Sequence, residues 1–306
     1  MPIIWVLKNN NIQLLYIERM SLSLVLNSNN VVKNGLNSQF QYNFVVGGLD
    51  IPEGTEMCIS NLTIPYSWFN IMQNYYNNAT FSYTFPTATG QQTYTITLPN
   101  GNYTINEINQ YMQTIFIQNS QYLVNEDGQN VYYIELLANP TYYAIQVVCY
   151  VVPSSLPQGY TNPANLSFPT QDTTPQLVVL DNNFGLIIGY TPASYPSVPE
   201  TSNQSFLSNI NPNASPVNSL IIRTNLVDNN VSMPSDILDS VPITAEFGYN
   251  IVYEPSFAKF VSVKSGKYSY MTLTFYDQNL NIVPARDPNC LVTLLLKYPK
   301  SNGYSK

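Results

Sequence analysis

Carboxylates are the first residues in this sequence whose type and spacing suit chemistry. Asp50, Glu53 and Glu56 cluster around the turn IPEGT, and Glu126 and Asp127 adjoin in NEDGQN. Paired carboxylates can divide acid and base roles in glycoside hydrolysis, and oxygen-rich turns can hold calcium. NEDGQN lacks the alternating ligand spacing of a calcium loop, and solvated turn acids account for both groups. The chain has no histidine, which removes Ser-His-Asp and Cys-His catalysis in cis and every imidazole metal site. Cys58, Cys149 and Cys290 are far apart, form no CxxC pair and lie in apolar runs, so buried reduced thiols are expected rather than a disulfide framework or a zinc site. No catalytic residue, metal ligand or cofactor is assigned. A β-sandwich hydrolase working without histidine is the weakest functional reading.

Tyr66, Trp68 and Phe69, in PYSWFNI, form a dense aromatic group. Aromatic rings can stack on sugars, but Trp and Tyr are also favoured anchors of protein interfaces. The stretch reads as an exposed loop, and these three residues are the candidate interface positions.

The elements that must position such residues follow from composition and periodicity. The 306 residues are 44% hydrophobic and only 9% charged, with a net charge of −7, against roughly 25% charged in ordinary globular chains. Asn alone is about one residue in eight. A neutral polar surface lacks the like-charge repulsion that keeps monomers apart, which favours extensive protein–protein contact. The acidic balance and the absence of a basic run argue against nucleic-acid binding. The first residues, MPIIWVLKNNNIQLLYIER, hold two short apolar runs split by Asn, too short for a membrane span or a signal peptide with a cleavage site. Asn-x-Ser/Thr triplets such as Asn61-Leu-Thr and Asn165-Leu-Ser arise by chance in an Asn- and Thr-rich chain. An intracellular home is expected.

Alternation of period two marks strands at 38–46, 55–64, 80–98, 131–137, 142–152, 242–254, 268–277 and 290–298, with shorter apolar runs at 176–181, 184–190 and 219–225. Residues 1–37 read as an N-terminal arm, 191–218 as a long Pro-, Ser- and Asn-rich surface excursion, and 299–306 as a tail. One helix stands out over 104–118. Thr104 with Glu107 forms a capping box, and Ile105, Ile108, Met112, Ile115 and Phe116 make an apolar stripe. A helix with one apolar face must cover the open end or flank of a sheet structure. Many strands with no βαβ alternation predict an all-β antiparallel sandwich or barrel.

LPNGNYTINEINQYMQ (98–113) resembles a strand–turn–helix element of small capsid proteins of virophages and related large DNA viruses, the Sputnik-type pentons among them. NNFGLIIGY (182–190) is similar to a Phe-Gly-x-x-x-Gly element of the same proteins. YMTLTFYDQNLNIVPARDPNCLVTLLLKY (270–298) is similar to their closing strand pair, with an Asp-led turn between two apolar strands. The resemblance spans most of 38–298, and residues 191–240 carry none of it. It implies a single jelly roll of eight core strands in two sheets, with one amphipathic helix and the long inserted loop. It further implies a homopentamer, the penton, at the fivefold vertices of an icosahedral virion assembled in the host cytoplasm. Its neighbours there would be trimeric double jelly-roll capsomers of the major capsid protein and other minor capsid proteins. The arm would then run under the shell, and the 191–218 loop would face outward or line the axis. A jelly-roll carbohydrate- or receptor-binding module is the alternative. Truncating residues 1–30 is expected to leave the fold intact.

Overall fold

The computed structural model describes residues 4–8, 11–15, 21–45 and 47–299. Most of the tail and parts of the first twenty residues lie outside them. After an antiparallel pair, Ile4–Lys8 with Asn11–Leu15, the main elements run in this order: β1 (Ser21–Leu26), β2 (Gln39–Asn43), β3 (Glu56–Pro65), β4 (Thr80–Thr87), β5 (Gly90–Thr97), α1 (Ile105–Gln118), β6 (Ile134–Asn139), β7 (Ala144–Cys149), β8 (Gln176–Val179), α2 (Asn182–Ile188), β9 (Ala193–Tyr195), β10 (Gln204–Leu207), β11 (Ser219–Thr224), β12 (Ile237–Pro242), β13 (Asn250–Tyr253), β14 (Tyr270–Tyr276) and β15 (Leu291–Lys297). They form two compact units, one of residues 1–68 and 217–306, the other of residues 69–216.

The first unit is the jelly roll. One sheet has the order β13-β3-β15-β1 and the other β12-β11-β14-β2, every neighbour antiparallel. Counted along the chain, these are strands 6-3-8-1 and 5-4-7-2 of eight, the interleaving that two Greek keys produce. Leu24, Leu26, Leu62, Ile64, Val292, Leu294 and Leu296 of the first sheet bury one side, and Phe40, Leu220, Ile222, Met271, Leu273 and Phe275 of the second bury the other, in a single core. In β3 the buried positions change parity, from Met57 and Ile59 to Leu62 and Ile64. The register slips between Thr293 and Leu294, leaving exposed Ser60 as the extra residue. A bulge there lets both halves of the strand keep their apolar side inward. In the β14–β15 connection, Asp277, 97% buried, accepts from the N–H groups of Asn279 and Asn281, both at 2.8 Å. This is the physical basis of the Asp-led turn.

The all-β sandwich is therefore present, but with a different set of strands. The stretches at 80–98, 131–137 and 142–152 belong to the second unit. Their places in the jelly roll are taken by β1, β11 and β12. The boundary of an arm at residue 37 is corrected too, because Ser21–Leu26 is the first jelly-roll strand, its Leu22, Leu24 and Leu26 standing opposite Leu296, Leu294 and Val292. The single domain over 38–298 becomes a jelly roll interrupted by Phe69–Pro216 between its third and fourth strands.

The second unit has its own core around Phe81, Tyr83, Ile108, Met112, Phe116, Ile134, Val147 and Phe184. Its sheets are β9-β8-β4-β5 and β6-β7-β10. Helix α1 starts as its sequence predicts. The Thr104 side chain accepts from the Glu107 N–H, and Glu107 Oε2 accepts from the Thr104 N–H at 2.7 Å. Its buried face (Ile108, Met112, Phe116) packs in this unit, the Phe116 ring edge-on to Tyr83 at 5.0 Å. Upstream, a Cβ on Gly101 would lie 2.6 Å from the Tyr103 ring. The Asn70 carboxamide holds Tyr103 through both its N–H and its C=O.

The run 184–190 is a second helix rather than a strand. Asp181 caps α2 by accepting from the Asn183 and Phe184 N–H groups, and Gly189 ends it at φ +77°. Phe184 stacks on Phe81 at 4.4 Å. A Cβ on Gly185 would lie 2.3 Å from the Tyr190 carbonyl oxygen. The Tyr190 hydroxyl, fully buried, accepts from the Val147 N–H at 3.1 Å and faces the carbonyls of Phe206 (2.7 Å) and Ile145 (2.9 Å), to either of which its one proton can go. The 191–218 excursion is also less loose than its composition implies. It contributes β9 and β10, and its last two residues belong to the jelly roll.

A chain starting at residue 21 should unfold as cooperatively as the full chain, whereas one starting at residue 31 should lose soluble folded protein, as read by circular dichroism and size-exclusion chromatography. Equal behaviour of the two would remove β1 from the core. Tyr190→Phe should cost about 1–3 kcal/mol, measured by denaturant unfolding, because it orphans a buried N–H. Glu107→Ala should cost about 0.5–1 kcal/mol. Backbone and hydroxyl donors of Thr104 hold the Glu107 carboxyl below its ordinary value. That contribution is present above the unfolded value of about 4.3 and fades as pH falls through the folded one, so wild type and variant should converge in acid.

Candidate functional site

The aromatic group sits differently from its sequence expectation. Tyr66 is 7% exposed and Trp68 1%, and both belong to the jelly-roll core. Their rings lie 4.5 Å apart, with Phe247 edge-on to Tyr66 at 5.7 Å. The cause is that period two continues beyond β3, so Leu62, Ile64, Tyr66 and Trp68 all turn inward while Thr63, Pro65 and Ser67 do not. Tyr66 and Trp68 are therefore packing residues, not surface anchors. Phe69, half-buried, opens the second unit. Tyr66 does reach the wall of an open cleft of about 430 Å³, beside Ser67, Phe247, Arg286, Asp287 and Pro288. Ser67 Oγ accepts from the Arg286 and Asp287 N–H groups at 3.1 and 3.0 Å, which fixes the loop before β15 as one wall of that cleft.

The acids do not converge on a catalytic pair. Glu56 binds Lys297 at 2.8 Å, Asp50 stands opposite Lys267 in a short strand pair, and Glu53 is exposed. Glu126 and Asp127 are exposed turn residues, with Asn125 Oδ1 accepting from the Asp127 and Gln129 N–H groups. All three cysteines are free and buried, as their apolar surroundings led us to expect. Burial pushes the Cys149 and Cys290 thiols up to about 12, and burial followed by the nearby Asp239 raises Cys58. At neutral pH they are thiols, poor nucleophiles and poor metal ligands.

What the jelly roll offers to a partner is its two outer faces. On the first sheet, exposed Val252, half-exposed Thr63 and exposed Leu291 stand side by side across three strands, with Thr293 and exposed Val25 forming the next row. The charged pair of this face, Glu56 with Lys297, lies at one end. On the second sheet, Gln39, Gln41, Thr272, Thr274, Tyr270 and Tyr276 face outward across β2 and β14. Arg223 on the adjoining β11 is held by both carboxylate oxygens of Asp236 at 2.9 Å and lies 4.6 Å from the Tyr276 ring. Strand alternation carries this information in the sequence, but only once each strand is placed in its sheet.

No protein-family model matches the sequence, and no curated protein does. Solved structures do. The chain is similar to the mavirus penton protein in its crystal structure, at a TM-score of 0.42 and 10% identity, over 92% of this chain and 99% of that one. It is also similar to a chain of the Sputnik virophage structure determined by cryo-electron microscopy, at a TM-score of 0.41 and 14% identity, over 93% and 99% of the two chains.

Proposed function

We propose that this protein is a capsid-building subunit that forms a homopentameric penton at the fivefold vertices of an icosahedral virion. The observation that carries the reading is an eight-strand jelly roll whose outer faces are lined by Val, Leu, Thr, Gln and Tyr, with the cations Arg223 and Lys297 each held by a carboxylate. A ring closed by rotation needs two different complementary patches on each subunit, since each contact is head-to-tail. Two sheets with different outer faces, one aliphatic and threonine-rich, the other tyrosine- and amide-rich, supply such a pair. Neutral residues at the middle of an interface avoid the cost of desolvating charge. The motif resemblance to virophage pentons supports the same assignment. In this role the rim of the ring contacts trimeric double jelly-roll capsomers and other minor capsid proteins, the segment before β1 reaches under the shell, and the subunit assembles in the host cytoplasm before residing in the virion.

The test is the mass distribution of the purified full chain. Mass photometry should show a five-subunit species, and the double variant Val252→Lys/Leu291→Lys should shift it towards monomer at unchanged melting temperature. A wild-type chain that stays monomeric at micromolar concentration and in the presence of its capsid would overturn the reading.

A further inference from the structure

The second unit holds an open cleft of about 410 Å³ lined by Tyr132, Tyr133, Tyr150, Tyr160 and Glu135, with Asn203 on its rim. The cleft follows from the local sequence. VYYIE leads into β6, CYVVP leaves β7, and the loop bearing Tyr160 is tied to Leu123–Val124 through paired hydrogen bonds between Thr161 and Val124.

Its polar groups are partly committed and partly free. The Tyr150 hydroxyl donates to Glu135 Oε2 at 3.1 Å, the Tyr132 hydroxyl accepts from Asn130 Nδ2 at 3.1 Å, and Asn203 Oδ1 accepts from the Val151 N–H at 2.8 Å. The other halves of these groups, Glu135 Oε1 and Asn203 Nδ2, have no partner among the described residues. Tyr133 is 4% exposed, and its hydroxyl is likewise without a partner there. The Tyr133 ring is buried while its hydroxyl opens onto the cleft, where it can donate to or accept from whatever occupies it.

We propose that this cleft is a binding site for a neutral saccharide. A pyranose offers an apolar C–H face for tyrosine rings and hydroxyls that both donate and accept. Those needs match a tyrosine-walled cleft with a free carboxylate oxygen, a free carboxamide N–H₂ and an uncommitted phenol. The volume lies within the range of small-ligand sites. A quaternary ammonium group would also favour aromatic rings beside a carboxylate. It would leave the Tyr133 hydroxyl and the Asn203 donor unmet, and so fits less well. On a virion such a site would engage glycans of a host surface, an activity separate from shell assembly.

The experiment is saturation-transfer NMR on the full chain with galactose, mannose, N-acetylglucosamine and their disaccharides, and with tetramethylammonium as the competing probe. At least one sugar should receive saturation. Tyr133→Phe and Glu135→Gln, neither of which changes side-chain volume appreciably, should each weaken it by about tenfold or more while leaving the melting temperature and the oligomeric state unchanged. Transfer to none of the sugars, transfer unaltered by both variants, or transfer to tetramethylammonium alone would overturn the proposal. None of these outcomes bears on whether the chain forms pentamers.

Discussion

The jelly roll depends on its last strand. β15 lies between β1 and β3, so the first sheet is incomplete until residues 291–297 have inserted between residues 21–26 and 56–65. Its Val292, Leu294 and Leu296 are all fully buried, and its backbone forms ladders on both sides. Contacts of such long sequence separation form slowly, because loop-closure entropy is lost before the contacts repay it. The same arithmetic explains why the fold tolerates a whole second unit between β3 and β11. Closure cost grows with the logarithm of loop length, by about 0.6 kcal/mol per doubling. An insertion that folds around its own core, as Phe69–Pro216 does, costs the jelly roll less still.

That insertion marks the limit of what the sequence discloses. Period-two alternation finds strands well, and β3, β4, β14 and β15 lie where it places them. It carries no information on which sheet a strand joins, so strands of the second unit passed as members of the jelly roll. β1 was hidden because SLSLVL is short and runs into the polar segment NSNN, and β12 because ILDSVP breaks alternation at the register slip opposite Ile222 and Arg223. FGLII reads as a strand by hydrophobicity alone. Its helical state is set by Asp181 before it and Gly189 after it, signals that outweigh β propensity over two turns. The capping box of α1 was legible because it needs only two residues three apart. The helix's place in the second unit was not, because a stripe of apolar residues says that something covers it and not what.

The aromatic cluster teaches the same lesson about function. Tyr66 and Trp68 drew notice by residue type, yet their alternation with Leu62 and Ile64 makes them core residues. The tyrosines of the second unit's cleft are scattered over residues 132–160 and drew none, because a cleft is made by tertiary juxtaposition. Exposure distinguishes most of these rings, although Tyr133 is as buried as Tyr66. Trp68 is among the largest fully buried side chains, whereas Tyr132, Tyr150 and Tyr160 are half-buried.

Scarcity of charge constrains how these surfaces can act. Among the described residues the ion pairs are Arg223 with Asp236, Lys259 with Asp239 and Lys297 with Glu56, and each also places its cation over a ring: Tyr276, Tyr253 and Phe260. These three cations are neutralised locally within the subunit, so at the surfaces that carry them complementary charge contributes little to guiding partners. Recognition then rests on short-range fit, on rows such as Val252, Thr63 and Leu291, and on amide and hydroxyl groups that bond only at contact. Such contacts are weakly screened by salt. Their strength depends on how many form together, which suits a subunit whose neighbours are copies of itself repeated around a closed ring.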